Sequence, residues 1–375
     1  MTRIQQLFSE QGQSPWLDNL TRAHLRNGRL QQLVDDGLRG VTDNPTIFQK
    51  AVAGSSDYDE DFQQLVAHWP PTDTTSRDFV TGAYWDLITA DVEAALRVLR
   101  PLHEDSGGGD GFVSLELEPT IAHETEASVA AARELHRRID ASNLLVKIPG
   151  TAEGVPAVRQ MIGEVRSINI TLLFALERYA EVIDAYFQGL EAYAATGGDL
   201  SRVHSVASFF LSRVDTEVDR RLEAIGSPEA LRLRGRTAVA QAKLAYRLFR
   251  QRFSGQRWDA LATAGARLQR PLWASTSTKN SAYPDTLYVN GLIGPDSVNT
   301  MPDSTLTAFE DHGAVNRTID VGVDEAEETL DELARLGIDL VDVARVLEDE
   351  VAAFAKSFSE LLDALEAKAA SQGHA

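Results

Sequence analysis

The chain has 375 residues, a formal net charge of -20 at pH 7, 43% hydrophobic residues and no cysteine. This acidity argues against nucleic acids and anionic membranes as partners, because both are polyanions, and the lack of cysteine excludes disulfides, thiolate catalysis and cysteine metal sites. No apolar stretch approaches the roughly 20 residues of a membrane span, and the N-terminus shows no signal-peptide core, so we expect a cytoplasmic protein.

Short runs of β-branched or aliphatic residues alternate with helical segments along the chain. The runs that predict strands are 14–20, 37–42, 112–119, 143–149, 166–174, 202–210, 270–276 and 285–291. Amphipathic segments such as 125–140 and 227–253 lie between them. Eight strands with helical crossovers predict an α/β fold of the (β/α)8 or TIM barrel type. An open doubly wound sheet is the alternative, but no glycine fingerprint follows a strand, and SGGGDG at 106–111 is typical of a flexible loop.

Two segments exceed what a barrel requires. Residues 50–105 predict a helical insertion after the second strand, and residues 323–370 predict a helical pair broken near Gly337. The apolar residues of the second segment recur at intervals of three and four, so we expect it to pack on the barrel or on a neighbouring subunit. With no repeat and no long linker, we predict a single domain over residues 1–375.

The stretch NLLVKIPGT, residues 143–151, places a lysine within a buried-strand pattern. At strand spacing Lys147 shares a face with Asn143 and Leu145, and the aliphatic residues between them point to the other face. Burial disfavours a charged amine and lowers its pKa, which would make Lys147 a nucleophile for carbonyl groups. A lysine that extends from a strand end to water, or one paired with a carboxylate, is the structural alternative.

Polar residues end most of the predicted strands, where the chemistry of such barrels gathers. They are Asp18, Asn44, Glu116, Lys147, Asn169, Thr171, Ser208 and Lys279. Glu116 is buried if its neighbours Val113, Leu115 and Leu117 face the helices. An amine, two carboxylates, carboxamides and hydroxyls around one pocket indicate Schiff-base chemistry on a polyhydroxylated substrate.

A basic pair lies near two of these strand ends. Ser208 and Arg213 lead from a strand into a helix, and Lys279 follows the next strand in a loop rich in serine and threonine. In so acidic a protein these groups are candidate anchors for a sugar phosphate. A salt bridge from Arg213 to Asp215 or Glu217 is the structural alternative.

Six motifs in this order, GVTDNPTIF, VSLELEP, LLVKIPGT, INITLLF, SVASFFLSRVD and WASTSTKN, resemble those of the transaldolase family of Schiff-base barrels, in particular its longer bacterial branch. The resemblance spans nearly the whole chain. It implies that Lys147 forms a Schiff base with a ketose phosphate donor, sedoheptulose 7-phosphate or fructose 6-phosphate. It implies that Asp18 exchanges a proton with the C4 hydroxyl, and that Glu116 and Thr171 hold the water that carries protons during imine formation.

The resemblance also implies the residues that bind substrate. Asn44 and Asn169 would hold the dihydroxyacetone unit, and Ser208, Arg213 and Lys279 the phosphate. The protonated imine serves as electron sink, so no metal and no organic cofactor are expected.

Three positions distinguish this chain within that resemblance. Phe210 matches a tyrosine that supports release of free dihydroxyacetone in the related fructose-6-phosphate aldolases, which favours transfer over simple cleavage. Asp43 stands where Ser or Thr is usual, and Lys279 where many members have Arg. The alternative functions are an aldolase that uses the same lysine and a non-catalytic barrel that acts as a scaffold. We expect sugar phosphates as partners and a monomer or homodimer.

Overall fold

The strands of the computed structural model form a closed barrel. The structure describes residues 1–43, 56–68, 76–349 and 351–372. The strands in this part of the chain are β1 (Gln13–Asp18), β2 (Gly40–Thr42), β3 (Phe112–Glu116), β4 (Leu144–Pro149), β5 (Ile168–Leu173), β6 (Ser205–Phe210), β7 (Gln269–Ala274) and β8 (Ser297–Met301). They pair in parallel in chain order, and β8 closes on β1. The predicted (β/α)8 barrel is confirmed.

Helices surround this barrel. Those of the described residues are α1 (Arg3–Gln11), α2 (Arg22–Arg26), α3 (Arg29–Asp35), α4 (Asp59–His68), α5 (Arg77–Asp105), α6 (Thr125–Arg138), α7 (Gly154–Gly163), α8 (Leu176–Ala194), α9 (Leu211–Ile225), α10 (Pro228–Leu231), α11 (Thr237–Arg252), α12 (Gln256–Thr263), α13 (Leu287–Asn290), α14 (Asp303–His312), α15 (Val323–Arg335), α16 (Leu340–Asp349) and α17 (Val351–Gln372). None of these helices is both long and apolar enough to cross a lipid bilayer.

The prediction of the eighth strand is wrong. The segment 285–291 contains the short helix α13, and the strand that closes the barrel is β8, further along the chain. Tyr288 and Val289 are buried by helical packing. The side chains of β8 include Ser297, Asn299 and Thr300, so it lacks the aliphatic pattern by which the other strands were found. A short apolar run does not by itself distinguish a strand from a buried helical turn.

Two hydrophobic clusters lie on opposite sides of the strands. The larger cluster fills the space between strands and helices and extends from Ile4 to Ala369. A small cluster that includes Trp16, Leu145 and Leu272 fills the barrel interior. A Cβ at Gly40 would lie 2.4 Å from the Trp16 ring. Glycine at the start of β2 therefore lets the indole occupy the barrel axis.

The alternation predicted for the lysine strand is confirmed. Leu144, Val146 and Ile148 of β4 belong to the outer cluster, whereas Leu145 belongs to the inner one. Lys147 therefore shares the inward face with Leu145, two residues closer to the carboxyl end of the strand.

The additional segments pack on the barrel. Helix α5 contacts β3, so the predicted insertion 50–105 includes the crossover helix between β2 and β3. Helix α15 packs on α11, α16 on α9, and α17 on α5. The predicted C-terminal pair is three helices, with the expected break at Gly337, whose φ is +80°. The predicted helical segment 227–253 is also divided, because Gly235 turns the chain with φ +69° between α10 and α11.

Candidate active site

A pocket of about 230 Å³ opens at the carboxyl ends of the barrel strands. The predicted site residues that line it are Asp18, Glu116, Lys147, Thr171, Ser208, Phe210, Arg213 and Lys279. Asn169 is buried next to this set, as described below, and Asn44 lies outside the described residues. Residues that are far apart in the sequence thus converge because each ends a strand of the same barrel.

Lys147 is enclosed and ion-paired. Its side chain is 7% exposed, and its Nζ donates to Glu116 Oε2 at 2.5 Å and to the carbonyl oxygen of Asp43 at 3.0 Å. Glu116 lies directly opposite Lys147 in the pairing of β3 with β4. As predicted, Val113, Leu115 and Leu117 pack in the outer cluster, which turns Glu116 inward.

The prediction of a lowered pKa for Lys147 is wrong. Burial lowers the pKa, but the carboxylates of Glu116, Asp18 and Asp43 raise it by more, so that it lies above its ordinary value. Lys147 is therefore an ammonium group in this state, paired with a carboxylate. It must lose a proton before it can act as a nucleophile.

Asp18 lies in the same pocket with its own hydrogen-bond chain. The hydroxyl of Thr42 donates to Asp18 Oδ1 at 3.0 Å and lies 2.8 Å from the hydroxyl of Thr300. Since the Thr42 proton points to Asp18, Thr300 donates to Thr42. Burial raises the pKa of Asp18, against the opposing effects of Lys147 and of the Thr42 hydrogen bond.

Asn169 lies next to Lys147 in the pairing of β4 with β5. Its Nδ2 donates to Ser114 Oγ at 3.0 Å, and its Oδ1 accepts from Ser208 Oγ at 2.7 Å. The carboxamide is therefore held in one orientation. Asn169 is fully buried, and Ser208 is 2% exposed at the pocket wall.

Three strand ends at the pocket carry strained backbone. Asn19, Leu172 and Ser275 have φ of 105°, 59° and 55°, and each lines the pocket. Leu172 lies where the pairing of β5 with β6 shifts register, so that both Thr171 and Leu172 face the pocket. A left-handed leucine costs about 1–3 kcal/mol, and such strain is typical of functional sites. The buried Thr171 hydroxyl contacts no hydrogen-bond partner among the described residues.

The cationic side of the pocket is formed by Arg213 and Lys279. The Arg213 guanidinium lies 5.7 Å from the centroid of the Phe210 ring, and Lys279 Nζ donates to Ser277 Oγ at 2.9 Å. The carboxylate of Asp215 accepts from the Ala238 N–H and the Tyr288 hydroxyl. The carboxylate of Glu217 binds other arginines of the same helix. Lys279 lies 5 residues beyond the end of β7, and Arg213 lies 3 residues beyond the end of β6.

Sequence reasoning missed several hydroxyl groups of the pocket. The residues concerned are Thr42, Ser275, Thr276, Ser277 and Thr300. Thr42 ends a predicted strand and could have been found by the same criterion as Asp18. Thr300 could not, because its strand was placed in the wrong segment. Among the described residues, no group of three or more His, Asp or Glu side chains is arranged to hold a metal ion.

Fold and pocket together define a (β/α)8 barrel protein with a lysine-centred site at the carboxyl ends of its strands. The family model described as Transaldolase/Fructose-6-phosphate aldolase matches residues 15–365. The chain therefore belongs to the transaldolase/fructose-6-phosphate aldolase family.

Relatives named transaldolase match almost the whole chain. A transaldolase from Mycolicibacterium smegmatis is 48% identical over 360 residues, which are 95% of this chain and 95% of that protein. A transaldolase from a Parafrankia species is 48% identical over 361 residues, 96% of each chain. Transaldolase 1 of Streptomyces avermitilis is 46% identical over 361 residues, 96% of this chain and 93% of that one.

Proposed function

We propose that the protein is a transaldolase, a transferase that moves a dihydroxyacetone unit reversibly from a ketose phosphate to an aldose phosphate. The donors are sedoheptulose 7-phosphate or fructose 6-phosphate, and the acceptors glyceraldehyde 3-phosphate or erythrose 4-phosphate, in the non-oxidative pentose phosphate pathway. One observation supports this proposal best. Lys147 is enclosed, donates a hydrogen bond to Glu116 at 2.5 Å and shares one pocket with Asp18.

The first step activates the lysine. Glu116 accepts a proton from the Lys147 ammonium, and the neutral amine adds to the donor's carbonyl carbon. A proton passes from the nitrogen to the former carbonyl oxygen to give a carbinolamine. Glu116 then gives its proton to the carbinolamine hydroxyl, so that water leaves and an iminium ion forms. Glu116 and the hydroxyl of Thr171, which faces the pocket beside it, hold the water that carries these protons.

The second step breaks the carbon–carbon bond. Asp18 takes the proton of the C4 hydroxyl, the C3–C4 bond breaks, and its electron pair moves to the iminium nitrogen to give an enamine. An aldose phosphate departs. The reverse sequence joins the enamine to the second aldose, and Asp18 returns its proton to the new hydroxyl. A raised pKa places Asp18 nearer the operating pH, where one group serves as both base and acid.

The enamine must survive until the acceptor arrives. Phe210 lines the pocket, packs against Phe174 at 5.8 Å and carries no hydroxyl that could protonate the carbanion carbon. An enclosed pocket also limits protonation by water. These features favour transfer over release of free dihydroxyacetone.

Substrate binding is divided between the two sides of the pocket. Asn169, oriented by Ser208, and Asn44 bind the dihydroxyacetone hydroxyls. Arg213 and Lys279 bind the phosphate, with Ser208 at the same wall. We place the reaction in the cytoplasm, where sugar phosphates are retained by their charge, with a monomer or homodimer as the working form.

Trapping with borohydride tests the proposal. Incubation with fructose 6-phosphate and borohydride should modify Lys147 of the wild type, as shown by peptide mass spectrometry, and leave the Lys147→Arg variant unmodified. Sustained turnover should require an aldose phosphate acceptor. An unmodified Lys147 in folded protein would contradict the Schiff-base mechanism and leave the scaffold alternative.

The acceptor requirement and the phosphate anchors are tested separately. Rapid release of free dihydroxyacetone without acceptor would favour the aldolase alternative over transfer. Arg213→Ala should raise KM for phosphorylated donors more than it lowers kcat, because the guanidinium binds ground and transition states alike. Equal KM effects on phosphorylated and unphosphorylated donors would contradict the phosphate assignment.

A further inference from the structure

A second cavity, of about 800 Å³, opens at the opposite end of the barrel. It is bordered by residues at the amino ends of β3, β6 and β7 and by the glycine-rich turn 106–111. The buried inner cluster that includes Trp16, Leu145 and Leu272 lies within the barrel between this cavity and the Lys147 pocket. Its volume lies in the range of small-molecule sites, about 300–1,000 Å³.

The cationic groups of this cavity outnumber the carboxylates that neutralise them. Among the described residues, Arg39, Arg267 and Arg270 line it. Asp110, 2% exposed, accepts from Arg39 Nε at 2.6 Å and from Arg270 Nη2 at 3.0 Å. Arg267 donates only to backbone carbonyls, of Ser201 at 2.9 Å and Gly107 at 2.8 Å. Within the part of the chain that the structure describes, no carboxylate pairs with Arg267.

Two further carboxylates, Asp105 and Asp296, line the edge of the cavity. Asp296 pairs with Arg250 at 2.9 Å, and Asp105 is exposed to solvent. Among the described residues, Arg267 is therefore the arginine of this wall that has no carboxylate partner, in a chain of charge -20. Low-dielectric walls strengthen the attraction of such a cavity for anions.

His204 adds a neutral polar group to the same wall. Its ring lies 5.0 Å from that of Phe112 and 5.7 Å from that of His103. Burial and the neighbouring arginines lower the pKa of His204 to about 3, so the imidazole is neutral at physiological pH. The ring nitrogens of His204 make no hydrogen bond to any described residue, whereas its backbone N–H donates to Ser167 Oγ at 3.1 Å. A neutral ring with one donor and one acceptor can orient a ligand without repelling or attracting its charge.

Most of the remaining lining is apolar. Phe112, Leu145 and Val206 form part of the cavity wall, and Trp258 lies at its side. The turn that closes it fits closely: a Cβ at Gly108, whose φ is +78°, would lie 2.9 Å from His204 Cε1. A ligand here meets cations and an imidazole on one side and rings and aliphatic side chains on the other.

We propose that this amino-end cavity is a binding site for a small anionic metabolite that joins a phosphate or carboxylate group to a flat or apolar portion. Arg267 binds the anionic group, and Arg39 and Arg270 add positive charge nearby. His204 supplies a hydrogen bond, and the apolar wall receives the remainder of the ligand.

Calorimetric titration of the full-length protein with AMP, which combines a phosphate with a flat base, tests the site. We expect saturable binding by the wild type and a rise in Kd of about tenfold or more in Arg267→Ala, because a charged hydrogen bond is lost. Arg267→Gln keeps an N–H near the position of Nε, which donates to the Ser201 carbonyl, and should weaken binding similarly. Comparison of the two variants separates the lost charge from misfolding. Adenosine, without the phosphate, should bind much more weakly than AMP.

Two variants locate the binding. Arg247→Ala removes an exposed arginine that pairs with Glu327 on the outer helices and should bind AMP like the wild type. Arg213→Ala should also leave AMP affinity unchanged, since Arg213 lies at the other end of the barrel. Absence of AMP binding, equal affinity of wild type and both Arg267 variants, or loss of binding in Arg213→Ala would overturn the proposal. None of these readouts depends on catalysis.

Discussion

The two ends of the barrel each bury a charged cluster, but with opposite balance. At the carboxyl end, the buried ammonium of Lys147 faces the carboxylates of Glu116 and Asp18. At the amino end, the buried carboxylate of Asp110 faces the guanidinium groups of Arg39 and Arg270. Lysine and carboxyl groups change protonation when their surroundings change, whereas arginine remains charged. The carboxyl end can therefore move protons, and the amino end holds fixed charges.

The two ends of the barrel also differ in how the surroundings affect the protonation of their buried groups. The neighbouring carboxylates keep the proton on Lys147, whereas burial raises the pKa of Asp18. The cluster at the carboxyl end therefore contains groups that can exchange one proton as substrate arrives. Asp110, held by two guanidinium groups, has a structural role. Substitutions in the buried cluster at the carboxyl end should therefore affect turnover. Substitutions in the buried cluster at the amino end should affect the stability of the fold.

The largest expected effect comes from Lys147→Arg. The guanidinium keeps a positive charge beside Glu116 but forms no Schiff base, so turnover should fall by about 10³-fold or more. The free energy of unfolding should change much less than in Lys147→Ala, which leaves the buried carboxylates without their cation. Steady-state assays and chemical denaturation of both variants measure the two effects. Residual turnover near that of the wild type would show that the nucleophile lies elsewhere.

Glu116→Gln should reduce kcat by about 10²- to 10⁴-fold, because the group that exchanges protons with Lys147 is lost. The pKa of Lys147 should fall in this variant, since Glu116 raises it. Comparison of the pH dependence of borohydride trapping in wild type and variant measures that fall. Glu118→Gln, two residues further along the chain, is the matched control and should retain activity. An equal loss in both variants would contradict a specific role for Glu116.

Asp110→Asn should weaken the fold by about 3 kcal/mol, because it leaves two guanidinium groups at the amino end without their buried carboxylate. The folded variant should retain most of its kcat. Urea denaturation monitored by circular dichroism gives the stability, and the assay is run below the transition. Asp296→Asn removes an exposed pair with Arg250 and should change stability by less than about 1 kcal/mol. A variant that stays as stable as the wild type but loses turnover would reverse the assignment of roles to the two ends.

Thr42→Val should have the smallest effect, a shift of the acidic limb of the kcat/KM profile to higher pH. Asp18 accepts the substrate's proton as a carboxylate, and this form is lost as pH falls through its raised pKa. The Thr42 hydrogen bond lowers that pKa, so its removal raises the pKa further and activity disappears at higher pH. At neutral pH the loss should be less than about tenfold. Thr329→Val, in α15, is the control, and an unshifted limb in Thr42→Val would argue against Asp18 as the group that titrates.

Local patterns predicted most of the barrel and of the site. The alternation around Lys147 and around Glu116 assigned both side chains to the interior, because period two is a property of every strand. Strand ends identified the other pocket residues, because parallel strands of a barrel share one carboxyl end. Strand β8 was not predicted because Ser297, Asn299 and Thr300 interrupt the aliphatic pattern by which the other strands were found. The ion pairs of Asp110 with Arg39 and Arg270 were not predicted either, since SGGGDG is typical only of a loop.

By itself, the sequence determined the fold class, the inward position of Lys147 and the set of groups that surround it, since these follow from short-range periodicity and strand ends. Only the tertiary structure decided the charge on that lysine, which is protonated because Glu116, Asp18 and Asp43 approach it from other strands and loops. The tertiary structure also decided the hydrogen bonds to Asp18 and the arginine-lined cavity at the amino end. Each depends on distances between residues far apart in the chain, and electrostatic energies vary with those distances and with burial.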